Sequence, residues 1–218
     1  MARSYPGWFI TFEGIDGCGK TTQMRKLARR LQAAGRRFLE TIEPGGTRIG
    51  AQIRRILLDA ANQELCATAE MLLYFASRAQ NVEEVILPAL QRGEIVLCDR
   101  FTDSTLVYQG AARGLGEQVV LELDRIACRG LKPDLTLLID IDLDTSLART
   151  QARWLGDAES RMDQQAAEFH QRVREAYLKL AAREPERIRL IDGRPAPEEV
   201  ERAVWAVVAP VLEGRNVS

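Results

Sequence analysis

Histidine is nearly absent from this chain of 218 residues: His170 stands alone. Cysteine is sparse and unpaired in pattern, with Cys18, Cys66, Cys98 and Cys128 scattered and no CxxC among them. Neither a zinc site nor a disulfide framework can be assembled from that set, and reduced thiols in the cytoplasm are the expectation. Long apolar runs are missing too. None approaches the roughly 20 residues that span a bilayer, and Met1-Ala2-Arg3-Ser4-Tyr5-Pro6 lacks the apolar core of a signal peptide. There is no excess of charge of one sign: 30 basic against 31 acidic side chains give a formal net charge of −1. That balance offers nothing to a nucleic-acid partner or a membrane surface. Lysine is scarce, with four among the basic residues; the rest are arginines, whose planar forks suit phosphate better than a point charge does.

What is present suits a packed core: 46% hydrophobic and 28% charged residues in a length that fits one domain, residues 1–218, with room for a small insertion. The most informative stretch is Gly14-Ile15-Asp16-Gly17-Cys18-Gly19-Lys20-Thr21, followed by Thr22. It fits G-x-x-x-x-G-K-[ST], in which glycines let successive backbone N–H groups converge on one anion. Lys20 adds a charge near the outer phosphates, and the Thr21 hydroxyl is a ligand for the Mg²⁺ that accompanies a nucleotide. The context agrees. Trp8-Phe9-Ile10-Thr11-Phe12 reads as a buried strand, and Met24, Leu27, Ala28 and Leu31 recur at helical spacing up to a stop at Gly35.

Further strands are expected at Arg37–Ile42, Glu94–Asp99, Leu135–Asp140 and Arg187–Ile191. Between them lie a helix over Ile49–Leu57, a long one from about Thr68 to Gln91 bent or ended by Pro88, a short one through Tyr108, and one over Glu117–Cys128. Helix continues from about Asp144 to Trp154, breaks over 156–160, resumes to Ala182 and returns over Pro197–Leu212. Strands alternating with helices predict an α/β fold, a five-stranded parallel sheet covered by helices on both faces. Ligands gather outside the strand carboxyl ends in such sheets, where the P-loop, Pro44-Gly45-Gly46, Asp99-Arg100 and Asp140 all fall.

Asp99-Arg100-Phe101, directly after a strand, adds a carboxylate able to hold Mg²⁺ and a guanidinium able to reach a phosphate. Ser104 and Tyr108 share a helix face at i and i+4, and Tyr74 and Arg78 repeat that spacing, placing a ring and a fork where a base could stack and be read at its edge. A kinase with another nucleoside or nucleotide acceptor and a P-loop switch are the competing readings of the P-loop itself. A switch needs a γ-phosphate sensor and a water-positioning group, and no segment suits that role.

Phe12-Glu13-Gly14 through Thr22, Glu43-Pro44-Gly45-Gly46-Thr47, Tyr74 to Arg78, Asp99-Arg100-Phe101 with Ser104 and Tyr108-Gln109-Gly110, Pro133 to Leu137, and Arg161-Met162-Asp163 together resemble the thymidylate kinases, over nearly the whole chain. The resemblance implies a three-layer P-loop NTPase fold with a short lid at about 149–163. It also implies transfer of the γ-phosphoryl group of ATP to dTMP, with Mg²⁺. By the same resemblance Gly14 to Thr22 hold ATP and Thr21 and Asp99 hold the metal. Asp16, Pro44, Tyr74, Arg78, Arg100, Ser104, Thr105, Tyr108 and Gln109 hold dTMP: Tyr74 stacks on thymine, Arg78 reads its edge, Arg100 binds the acceptor phosphate, and Tyr108 crowds the ribose 2′ position. Pro44 is where the family tends to have a cis peptide.

Lys20, Asp99 and Arg100 form the expected catalytic set, joined by an arginine from the lid region, Arg149, Arg153 or Arg161. Gly17 stands where some members carry a basic residue, which resembles the bacterial subtype with the catalytic arginine in the lid. Ile42 replaces an arginine many members have before the glutamate, so Arg100 or Arg48 is expected to take more of the phosphate contact. Arg153, Arg194 and backbone near Asp192 are the candidates for adenine. A homodimer packed through long helices is implied as well.

Overall fold

The computed structural model describes residues 5–154, 161–162 and 165–213, with the side chains of 153 and 154 left aside. Five strands, β1 (Trp8–Glu13), β2 (Phe38–Ile42), β3 (Ile95–Asp99), β4 (Leu135–Asp140) and β5 (Ile188–Asp192), form one parallel sheet in the order β2-β3-β1-β4-β5. The near-continuous apolar character of β1, β3 and β4 is accounted for by burial on both faces, whereas the edge strands β2 and β5 keep exposed positions.

Side chains alternate across the sheet. Ile10, Phe12, Ile95 and Leu97 face one core layer, shared with helices α1 (Lys20–Ala33), α8 (Ala167–Arg183) and α9 (Pro197–Glu213). Phe9, Val96 and Cys98 face the other, shared with α3 (Ala67–Asn81), α4 (Leu87–Gln91) and α6 (Glu117–Ala127). Of the remaining helices, α2 (Arg48–Leu58) packs against α3, α7 (Leu143–Trp154) against α8, and α5 (Thr102–Thr105) against the Leu106–Ala112 segment that follows it. Because β1 lies between β3 and β4, the strand order reverses at its end, and the crevice opens there.

Two helices differ from expectation. The long helix over Thr68–Gln91 is α3 and α4 joined by a π-helical segment, Val82–Ile86, with Pro88 in the first turn of α4. Proline cannot donate to the preceding turn, and widening by one residue lets the chain pass it without a break. The helix after Asp99 ends as α5 at Thr105 and continues as a second π segment, Leu106–Ala112, so it runs beyond Tyr108. Such segments recur at functional sites, and this one carries Tyr108 and Gln109. Within the span expected to form the lid, residues 155–160 and 163, and the side chain of Arg153, lie outside the described residues.

Candidate active site

The P-loop turns on φ values of +139° at Gly14, +72° at Gly17 and +94° at Gly19, a region that L side chains enter only at a cost. Packing adds to this at Gly14, where a Cβ would come within 2.3 Å of the Ile139 carbonyl. Ile15 and Cys18 send their side chains into the core, leaving backbone to face a phosphate, while Thr22 is exposed one step along α1. The loop ends on the first turn of α1, whose unpaired N–H groups and dipole favour an anion.

From Lys20 and Thr21 a cleft of about 360 Å³ runs past Asp16, Asp99 and Arg100 to Pro44, Tyr74, Arg78, Ser104, Thr105, Tyr108 and Gln109. Ten of the expected site residues thus share one cavity with the end of the P-loop. Thr21 Oγ1 donates to Asp99 Oδ2, which brings the two expected Mg²⁺ ligands into contact. Among the described residues no group of three or more His, Cys, Asp or Glu side chains forms a cage. A hydroxyl and one carboxylate fit Mg²⁺, a cation that keeps waters and leans on substrate phosphates, better than they fit a metal needing an all-protein site.

At the waist of the cleft, Asp16 Oδ1 accepts from Arg100 Nη2 at 2.9 Å and lies 3.6 Å from Lys20 Nζ. Burial works against the charge on Asp16, but Arg100, Lys20 and His170 outweigh it and hold the carboxyl well below the usual range. Arg100 is left-handed, φ +72°, a conformation that costs a non-glycine residue on the order of 1–2 kcal/mol. Strain of that kind gathers at functional sites. Tyr108 stacks against the guanidinium at 5.1 Å and its hydroxyl lies 3.4 Å from Asp16 Oδ2.

At the far end Arg78 is fully buried between the rings of Phe75 and Phe101, its Cζ 5.0 and 5.1 Å from their centroids. Its Nε donates to Glu43 Oε2 at 2.5 Å, while its Nη1 has no hydrogen-bond partner among the described residues. Thr105 Oγ1, also lining the cleft, is likewise without one. A buried donor and a buried hydroxyl left open beside an aromatic ring are what the edge of a base would satisfy. Burial, with Glu70's charge adding to it, pushes the Tyr74 phenol up to about 12, so the ring is neutral. The Glu43–Pro44 peptide is cis.

The family model described as Thymidylate kinase matches residues 12–204 of this sequence. The chain belongs to the thymidylate kinase family. It is 50% identical over 212 residues to thymidylate kinase of Pelobacter propionicus, covering 96% of this chain and 95% of that one. It is 50% identical over 205 residues to the Geobacter sulfurreducens protein of the same name, covering 93% and 96%. The crystal structure of thymidylate kinase from Ehrlichia chaffeensis superposes with a TM-score of 0.76 at 32% identity, over 93% of this chain and 98% of that one.

Other expected residues lie elsewhere. Asp140 is outside the cleft, held by both forks of Arg174 at 2.8 Å. Arg161 is buried on Glu70 Oε2, 2.5 Å, and the Leu57 carbonyl, 3.1 Å, so its charge is already matched. Arg149 reaches the carbonyls of Gly193 and Arg194 from the surface of α7, with its Cβ 3.3 Å from where one on Gly17 would lie. Arg194 pairs with Asp192. Arg48 is exposed; the arginine that lines the cleft beside Ile42 is Arg54, whose Nη1 donates to the Pro44 carbonyl at 2.8 Å. Only the path of α2 past the Pro44 turn distinguishes it from its neighbour Arg55.

Proposed function

We propose that this chain transfers the γ-phosphoryl group of ATP to the 5′-phosphate of dTMP, giving dTDP for dTTP synthesis in the cytoplasm. The observation that carries the reading is the single cleft lined by the end of the P-loop, the Asp16–Arg100 pair, Tyr74, and Arg78 and Thr105, whose buried Nη1 and Oγ1 have no partner among the described residues. The P-loop amides and Lys20 bind the donor phosphates. Tyr74 stacks on the base, Arg78 and Thr105 satisfy its edge, Gln109 and Ser104 line the wall, and Tyr108 stands at the sugar. Arg100, helped by Arg54 in place of the arginine that Ile42 replaces, holds the acceptor phosphate.

Phosphoryl transfer of this kind has a loose transition state with charge spread over oxygens, so alignment and cations supply most of the rate. Thr21 and Asp99 would hold Mg²⁺, which neutralises the developing charge when bound. Arg149, Arg153 and Arg161 are the arginines available for the remaining charge, and the buried ion pair of Arg161 makes it the least free of the two whose side chains are described. We read residues 1–218 as one P-loop kinase domain. Ile49 and Ile56 on α2, Leu72 on α3, and Val119 and Ile126 on α6 are exposed apolar side chains, and α3 packs against both α2 and α6, which supports a homodimer through these helices.

The test is an acceptor panel. With ATP and Mg²⁺, ADP release depends on dTMP, is weaker with dUMP and is negligible with AMP, GMP or CMP. Equal release with no acceptor present would instead indicate an NTPase or a switch.

A further inference from the structure

Arg100 is anchored by more than Asp16. Glu13, the last residue of β1, is buried; its Oε1 accepts from the backbone N–H of Phe101 at 2.7 Å and of Ser104 at 3.3 Å. The first of those amides follows Arg100 directly and the second lies four residues on, so this carboxylate oxygen pins the main chain on the C-terminal side of the residue held at φ +72°. Its Oε2 accepts from two hydroxyls, Ser104 Oγ at 2.6 Å and Tyr177 Oη at 2.7 Å, which lie 2.8 Å from each other. Both hydroxyls then accept from Arg100 Nη1, at 3.0 and 3.3 Å. One nitrogen of the guanidinium is therefore tied through Ser104 and Tyr177 to Glu13, and the other to Asp16 and Tyr108.

Tyr177 comes from α8, 77 residues away from Arg100, and does not line the cleft. Its ring packs edge-on to Tyr108 at 6.4 Å, so ring and hydroxyl have separable duties. A flexible arginine binds a phosphate well only if its fork is already oriented, because freezing it on binding costs affinity. We propose that Tyr177 is a positioning residue for Arg100: with Glu13, its hydroxyl holds the guanidinium in the orientation that meets the acceptor phosphate. This rests on the reading of Arg100 as the acceptor-phosphate contact. Tyr177 acts at a distance from the transferred group, through hydrogen bonds that a phenylalanine cannot make.

The test is Tyr177→Phe, alone and combined with Arg100→Ala, read by thermal unfolding, by steady-state kinetics for each substrate, and by equilibrium binding of dTMP. The expected Y177F enzyme unfolds near the wild-type temperature. Its KM for dTMP rises about tenfold, the scale of one hydrogen bond to a charged group, while its KM for ATP moves less than about twofold. In the R100A background the same change adds less than about twofold, because the residue it acts through is gone. If R100A weakens dTMP and Y177F does not, or if the two effects simply add, the positioning role is overturned and the acceptor reading stands. If R100A leaves dTMP binding unchanged, the acceptor reading itself falls, and this inference with it. Should Y177F fail to fold, Glu13→Gln, which keeps the side chain's shape, lies outside the cleft lining and weakens the acceptor that both hydroxyls share, is judged by the same outcomes.

Discussion

Asp16 and Arg100 meet at 2.9 Å, one from the P-loop and the other from the turn after β3. The contact fastens the donor half of the cleft to the acceptor half, because Asp16 also faces Lys20 at 3.6 Å. Removing the carboxylate leaves two cations facing each other across the point where phosphates must align. Asp16→Asn is expected to lower kcat at least about tenfold, roughly 1.4 kcal/mol, and, because Arg100 loses its charged anchor, to raise the Kd for dTMP by about tenfold as well. Steady-state kinetics beside equilibrium binding separate the cases. A loss confined to Kd would make Asp16 a binding contact only.

Gly17 has no room for a side chain. Its φ is +72°, and a Cβ would lie 2.9 Å from the Ser146 carbonyl and 3.3 Å from Arg149 Cβ, both on α7. Gly17→Ala is therefore expected to destabilise the fold by about 1–2 kcal/mol from backbone alone, with more from the clash. Gly17→Arg is expected to lose activity rather than supply a catalytic cation from the loop. Thermal unfolding and kcat for both variants check this, and an active, stable G17R would show that α7 yields to the side chain.

Arg78 serves the fold and the site with different nitrogens. Nε pairs with buried Glu43, and Nη1 is open. Arg78→Ala strands a buried carboxylate and should cost about 3–5 kcal/mol of stability. Arg78→Lys keeps a cation near Glu43 but has no second nitrogen for the base. It is expected to fold, with the KM for dTMP raised about tenfold. Urea unfolding and an acceptor titration on the same preparations distinguish the two roles.

Much of this was legible in the chain because the chemistry is local. The P-loop, Asp99-Arg100 and the i, i+4 pair Tyr74 and Arg78 each sit within one turn or loop, and parallel-sheet topology then brings them to one edge. What stayed hidden depends on distant pairing. Tyr177 meets Glu13 across 164 residues, and nothing in either neighbourhood announces it. Arg54 differs from Arg48 and Arg55 only in which face of α2 meets the Pro44 turn. Arg161 reads as a free lid cation until Glu70, 91 residues earlier, is found beside it. The π segment Val82–Ile86 was out of reach because Pro88 is compatible with either a kink or a widened turn.

That last pairing makes a pH prediction. Glu70 is buried, which by itself favours its proton, but Gln109, Arg161 and Arg113 outweigh burial and lower its pKa below the ordinary 4.5. The folded chain thus binds this proton less readily than the unfolded chain does. Its contribution to stability is complete above the unfolded value and drains away as pH falls through the lower folded one, by at most about 1.4 kcal/mol per pH unit. Glu70→Gln keeps the shape and removes the titration. The variant is expected to be less stable at neutral pH, because Arg161 loses its buried partner, and to show a flatter fall in unfolding temperature below pH 4.5 than the parent. Parallel acid limbs in the two proteins would assign the acid sensitivity to another carboxylate.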